Sequence, residues 1–140
     1  PVNLVWALNV SLGQILAEGM DARFERHRRM SKAFKAAITA LDLRQVPIGD
    51  DRGANTLTAP YFPQGVGNEV LGYIHEAGVI VAGGLHPEIK GKYFRVGHMG
   101  AVNPSDIVTT VGAVEWGLSK AGYRFDAGAG LAAAQTVLAE

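Results

Sequence analysis

The sequence predicts an α+β fold, in which two long helices precede a small, mostly antiparallel sheet with helices packed on one face. Two long N-terminal segments carry apolar residues at spacings of three and four, which is typical of amphipathic helices. Further along the chain, short segments with strand character alternate with helix-like segments and are separated by glycines. The last two predicted strands are joined by too few residues for a helical crossover, so we expect them to pair antiparallel.

The two N-terminal helices are predicted at residues 4–18 and 21–42, and Asp21 is a plausible cap for the second. The first helix carries one apolar stripe, made of Leu4, Leu8, Leu12, Ile15 and Leu16. The apolar face of the second helix consists of Phe24, Phe34, Ile38 and Leu41. Its other faces are rich in arginine and lysine.

The later elements are shorter. A polar loop at residues 49–55 leads to strands predicted at residues 56–62, 79–82 and 92–99, of which the second is expected to be buried. Helices are predicted at residues 66–77, 104–120 and 131–138. Pro104 suits the first turn of its helix. The Ala- and Gly-rich residues 127–134 favour a weak, frayed helix over close packing against a partner.

The composition argues against several kinds of function. Lys plus Arg and Asp plus Glu number 13 each, so no net charge directs the chain to nucleic acid or to an acidic membrane. The basic residues between positions 23 and 35 are interpreted as a solvated helix face. No apolar stretch has the length of a membrane-spanning helix, and there is no cysteine. No metal site is expected, because no histidine has a partner at ligand spacing; His98 is interpreted as structural.

One segment, residues 91–100, has the features of a binding site for a small acid. Strand alternation places Tyr93, Arg95 and Gly97 on one face, with Phe94, Val96 and His98 on the other. Arg95 would then point away from the core, and Gly97 would leave space for a ligand beside it. A guanidinium binds a carboxylate through two charge-assisted hydrogen bonds. The alternative is that Arg95 pairs with an Asp or Glu at a domain boundary.

Several motifs in this chain resemble the C-terminal domain of class V, fold type I, pyridoxal-phosphate (PLP) aminotransferases of the alanine–glyoxylate/serine–pyruvate type. The motifs are Gly83-Gly84-Leu85, residues 91–100 and Asn103-Pro104-Ser105-Asp106-Ile107. The two N-terminal helices also fit, so the resemblance extends to about Lys120, whereas residues 123–140 do not match the family pattern. It implies that Arg95, in an Arg-aliphatic-Gly motif, binds the substrate carboxylate.

The resemblance also implies that the reaction centre lies outside this chain. The family's Schiff-base lysine, the aspartate that pairs with the pyridine nitrogen and the phosphate-binding groups are upstream of the position of Pro1. We therefore expect no catalytic, cofactor-binding or metal-binding residue here; Lys90 and Lys92 are in an exposed-looking loop. Residues 1–20 are expected to form the end of the large cofactor domain, and residues 21–140 the C-terminal small domain. A chain that begins at Pro1 is interpreted as cut from something longer.

The expected function is therefore that of a C-terminal fragment of a homodimeric aminotransferase, which moves an amino group from alanine or serine to glyoxylate or pyruvate. The fragment is not expected to be active without its own N-terminal large domain. The expected partners are small amino and keto acids, not nucleic acid or a membrane, and the expected compartment is the cytoplasm or an organelle. The alternative is a stand-alone module that binds a carboxylate or another protein without catalysis.

Overall fold

A computed structural model describes residues 1–140, apart from the side chain of Asp50. It contains five helices and a three-stranded sheet, which confirms the predicted α+β class. The helices are α1 (Val2–Glu18), α2 (Met20–Ala40), α3 (Glu69–Glu76), α4 (Pro104–Lys120) and α5 (Ala129–Leu138). The strands are β1 (Leu57–Thr58), β2 (Ala82–Gly83) and β3 (Phe94–Gly97), and one 3₁₀ turn covers Asp50–Arg52 within the predicted polar loop.

The sheet has the order β1-β3-β2, and both pairings are antiparallel, as predicted for the last two strands. Arg95 of β3 is opposite Ala82 of β2. On the other side of β3, Gly97 is opposite Leu57 of β1. The central strand therefore carries the Arg95 segment, and its neighbours fix the position of that segment on both sides.

The core lies between one face of β3 and the helices. Phe34 and Ile38 of α2, and Leu41 directly after this helix, are almost fully buried against it, as predicted. Val70 and Ile74 come from α3, and α4 adds Ile107, Val111, Val114 and Leu118. Because each buried side chain of this size contributes about 1.5–3 kcal/mol, this cluster holds the helices on one face of the sheet.

Two predictions about apolar surfaces are wrong. Phe24, assigned to the core face of α2, is 55% exposed, because the buried stripe of that helix begins one turn later, at His27. The strand predicted as buried at residues 79–82 forms instead at Ala82–Gly83, and Ile80 before it is 83% exposed. Strand β2 is at the edge of the sheet and pairs only with β3. Residues next to it, such as Ile80, therefore have no strand on their outer side.

The C-terminal helix α5 is packed against α2 rather than frayed, which corrects the prediction for residues 127–134. Gly130 is buried at this contact, where an added Cβ would be 3.2 Å from Leu41 Cδ1. The carboxylate of Glu115, on α4, accepts hydrogen bonds from the backbone N–H groups of Gly128 at 2.9 Å and Leu131 at 3.0 Å. This buried carboxylate satisfies donors that a helix N-terminus otherwise leaves unpaired.

The contact between α3 and α4 gives a first test of the packing. A Cβ added at Gly117 would be 2.6 Å from Ile74 Cγ1, so Gly117→Ala is expected to destabilise the fold by about 1–3 kcal/mol. At Gly112, in the same helix, a Cβ would meet only Leu131 Cδ2 at 3.9 Å. Gly112→Ala is therefore expected to stabilise it, by up to about 1 kcal/mol of helix propensity. Urea unfolding of both variants checks this, and equal stabilities would contradict it.

Candidate carboxylate-binding site

Strand β3 separates the core from an open face of the sheet, as the alternation predicted. Phe94, Val96 and His98 are 0%, 4% and 2% exposed and point to the helices. Arg95 is half-buried on the opposite face, and Gly97 beside it is exposed. A Cβ built on Gly97 would meet only Met99 Cε, at 3.6 Å. The structure therefore leaves open the space beside Arg95 in which a ligand was predicted to bind.

The guanidinium of Arg95 has one anchor within the described residues. Its Nε donates a hydrogen bond of 2.8 Å to the carbonyl oxygen of Gly83, in β2. No acceptor in this part of the chain bonds Nη1 or Nη2, and none of its ion pairs involves Arg95. An arginine held this way has two charged donor groups left for an acid from outside these residues.

Tyr93, two residues before Arg95, contacts the turn that follows β2, which the sequence did not predict. Its hydroxyl oxygen accepts hydrogen bonds from the backbone N–H groups of Leu85, at 2.9 Å, and His86, at 3.2 Å. These bonds lower the pKa of the Tyr93 phenol, because they stabilise its ionised oxygen. In the sequence, only the pair Gly83-Gly84 indicated that the backbone comes close to another group here. A Cβ at Gly84 would be only 2.4 Å from Tyr93 Cε1, so the backbone approaches the ring more closely than alanine would allow.

His98 lies on the core side of β3, where it plays the structural role predicted for it. Its Nε2 is 2.8 Å from the hydroxyl of Thr58, and its ring centre is 5.8 Å from that of Phe34. Burial lowers the pKa of His98 to about 4, since a charged imidazole would lose its hydration there. The ring is therefore neutral at physiological pH and belongs to the packing of β1 against β3.

This shift predicts a pH dependence of stability. His98 has a pKa of about 4 when folded and an ordinary value of 6.5 when unfolded, so the unfolded chain binds the proton more readily. The contribution of neutral His98 to the free energy of unfolding is complete above about pH 6.5. It decreases by about 3 kcal/mol as the pH falls towards 4. Urea midpoints at pH 7 and pH 4 should therefore differ less in His98→Gln than in the unchanged chain. His75→Gln, at an exposed histidine, is the control, and equal pH slopes in all three would contradict the assignment.

Two arginines of α2 do more than form the solvated face that was predicted for them. Glu18, at the end of α1, bonds Arg26 Nε at 2.6 Å and Arg23 Nη1 at 2.9 Å. Arg26 Nη1 also donates to the carbonyl of Val102 at 2.7 Å, in the loop that follows β3. Mainly through the bond from Arg26, the pKa of Glu18 is lowered to about 2. This cluster ties the end of α1 to the loop that leaves the Arg95 strand.

Neither a buried lysine nor a cluster of metal-ligand side chains is found among the described residues. No lysine is buried, Lys90 and Lys92 are exposed as expected, and Lys120 pairs with Glu76 at 2.9 Å. No group of three or more His, Cys, Asp or Glu side chains in this part of the chain is placed to hold a metal. None of the helices in these residues has the length and hydrophobicity needed to cross a membrane. What the chain does offer is one arginine on an open sheet face.

The chain is similar to known proteins in both sequence and fold. No model of a protein family matches the chain. The soluble hydrogenase small subunit of Synechococcus sp. is 40% identical over 99% of this chain and 36% of its own length. Alanine–glyoxylate aminotransferase 1 of Saccharomyces cerevisiae is 39% identical over 71% of this chain and 26% of its own length.

A solved structure has the same fold. Pyridoxamine–pyruvate aminotransferase from Mesorhizobium loti superposes with a TM-score of 0.89 at 31% identity, over 94% of this chain and 34% of that protein. The chain thus spans about a third of the length of the relatives that it matches.

Proposed function

Because the chain belongs to the class V aminotransferases, as its motifs predicted, we propose that it is the C-terminal domain of a longer, homodimeric PLP enzyme. In this proposal PLP is held by a lysine upstream of Pro1, in an N-terminal large domain. We propose the cytoplasm as its compartment, with an organelle as the alternative.

The first helix supports a division of the chain between two domains. Helix α1 has no buried residue, and Leu4 and Leu16 are 70% and 77% exposed. Exposed apolar surfaces of this extent commonly mark a contact with another protein surface. We therefore assign residues 1–20 to the end of the large domain, and residues 21–140 to the small domain.

Arg95 carries the functional proposal. Its two free Nη groups, on an open sheet face with no acidic partner among the described residues, suit the carboxylate that amino and keto acids share. Arg95 would hold this carboxylate and orient the substrate, which is a positioning role. The proposed reaction moves an amino group from alanine or serine to glyoxylate or pyruvate. The names of the yeast and Mesorhizobium relatives include alanine, glyoxylate and pyruvate.

The mass of the natural protein after borohydride reduction tests the proposal, because reduction fixes Schiff-base PLP covalently to its lysine. We expect a species about three times the length of this chain, with the adduct on a lysine upstream of Pro1. A natural protein of 140 residues without an adduct would overturn it and favour a stand-alone carboxylate-binding module.

A further inference from the structure

We propose that Tyr93 is a positioning residue for Arg95, acting through the backbone of residues 83–86. The phenol oxygen holds this segment in place, the Gly83 carbonyl in turn fixes Arg95 Nε, and the two Nη groups are left for the ligand. The inference rests on the proposed role of Arg95 and adds a residue to the same site.

A single hydrogen bond anchors the guanidinium of Arg95. A long, flexible side chain on an open sheet face adopts many rotamers unless something holds it. The hydrogen bond from Nε to the Gly83 carbonyl, at 2.8 Å, is the one that its guanidinium makes within the described residues. The position of that carbonyl therefore determines where the charged end of Arg95 lies.

The Gly83 carbonyl is in turn held in place by the sheet and by Tyr93. Gly83 pairs with Phe94 in the sheet, but β2 ends at Gly83, and the next residues leave the sheet edge. There the Tyr93 oxygen accepts the N–H groups of Leu85 and His86, at 2.9 and 3.2 Å. Tyr93 itself is only 6% exposed, so its ring is a fixed support for the turn.

The Tyr93 ring also fits closely against the backbone at Gly84. A Cβ on Gly84 would be 2.4 Å from Tyr93 Cε1 and 2.6 Å from the carbonyl oxygen of Lys90. The turn is thus confined at Gly84 by both the ring and the loop that leads into β3. Because Nε is already bonded, the ligand carboxylate would bind end-on to the two Nη groups, and not side-on to Nε and one Nη.

The test removes one oxygen atom from the full-length, PLP-bound enzyme. Tyr93→Phe is expected to raise KM about tenfold for both the amino donor and the keto acceptor. It leaves the backbone donors of the turn unpaired, so the Gly83 carbonyl no longer holds Arg95 in place. The inhibition constant of propionate, which has the carboxylate alone, should rise by the same factor while kcat changes less than about twofold. Tyr61→Phe is the matched control: its ring lies against that of Tyr93, at 6.3 Å, and its hydroxyl has no bond within the described residues.

A double-mutant cycle separates this role from a general structural one. If Tyr93 acts through Arg95, Tyr93→Phe will have no effect on KM when Arg95 is already alanine. Equal effects in both backgrounds, or an unchanged KM, would overturn the inference. An Arg95→Ala enzyme with unchanged KM would instead overturn the proposed role of Arg95. Gly84→Ala pushes the same turn away from the Tyr93 ring, and it should show the same rise in KM with little change in kcat if Tyr93→Phe folds poorly.

Discussion

Arg95→Ala is expected to lower kcat/KM of the full-length aminotransferase by about a thousandfold for every amino and keto acid substrate. Two charge-assisted hydrogen bonds to the carboxylate contribute about 2 kcal/mol each, and about 1.4 kcal/mol corresponds to a factor of ten. Most of the change should appear in KM, because the carboxylate takes no part in bond making or breaking and is held alike in ground and transition states. Steady-state kinetics with one amino donor and one keto acceptor measure it.

Two further variants separate the shape of the guanidinium from its charge. Arg95→Lys keeps the charge but loses the planar pair of donors, so its kcat/KM should lie between those of the unchanged enzyme and Arg95→Ala. Arg124→Ala removes an exposed arginine outside the site and should leave the kinetics unchanged. Unchanged KM in Arg95→Ala would show that the carboxylate binds elsewhere.

The sequence predicts the parts of this structure that depend on local patterns. Helix α4 begins at Pro104 as expected, and the Asn103 side chain accepts from Ser105 N while Asp106 accepts from Asn103 N, which completes a capping box. The face on which Arg95 lies follows from strand alternation alone. These features need only neighbouring residues, so a single sequence contains the information.

The features that were missed depend on contacts between distant residues. The bond from Arg26 to Val102 crosses 76 positions, and no local pattern distinguishes Arg26 from the solvated arginines around it. The docking of α5 depends on Glu115 of α4, which bonds backbone N–H groups 13 and 16 positions further along the chain. Tyr93 was placed on the correct face, but its bonds to Leu85 and His86 depend on how the β2–β3 connection folds back. The sequence therefore predicts the position of Arg95 in the candidate site, but it does not predict the contacts of Tyr93.

Phe94→Ala is expected to destabilise this chain by about 3–5 kcal/mol, which is the usual effect of removing a buried phenylalanine ring. Phe94 is 0% exposed, and its ring is stacked on Phe62 with centres 5.5 Å apart, directly behind the backbone that carries Arg95. Urea unfolding measures the loss. Phe94→Leu, which keeps most of the apolar volume, should lose less, and equal losses in the two variants would contradict a cavity as the cause.

Phe24→Ala is the matched comparison, because it removes the same ring from a position that is 55% exposed. In this chain its effect should be within about 0.5 kcal/mol. In the full-length protein the result bears on the proposed domains, since Phe24 lies on α2 soon after the uncovered helix α1. If the large domain covers this region, Phe24→Ala will destabilise the longer protein by more than it destabilises the chain. Equal effects in both would place Phe24 on the outer surface of the enzyme and restrict the covered area to α1 and the open sheet face.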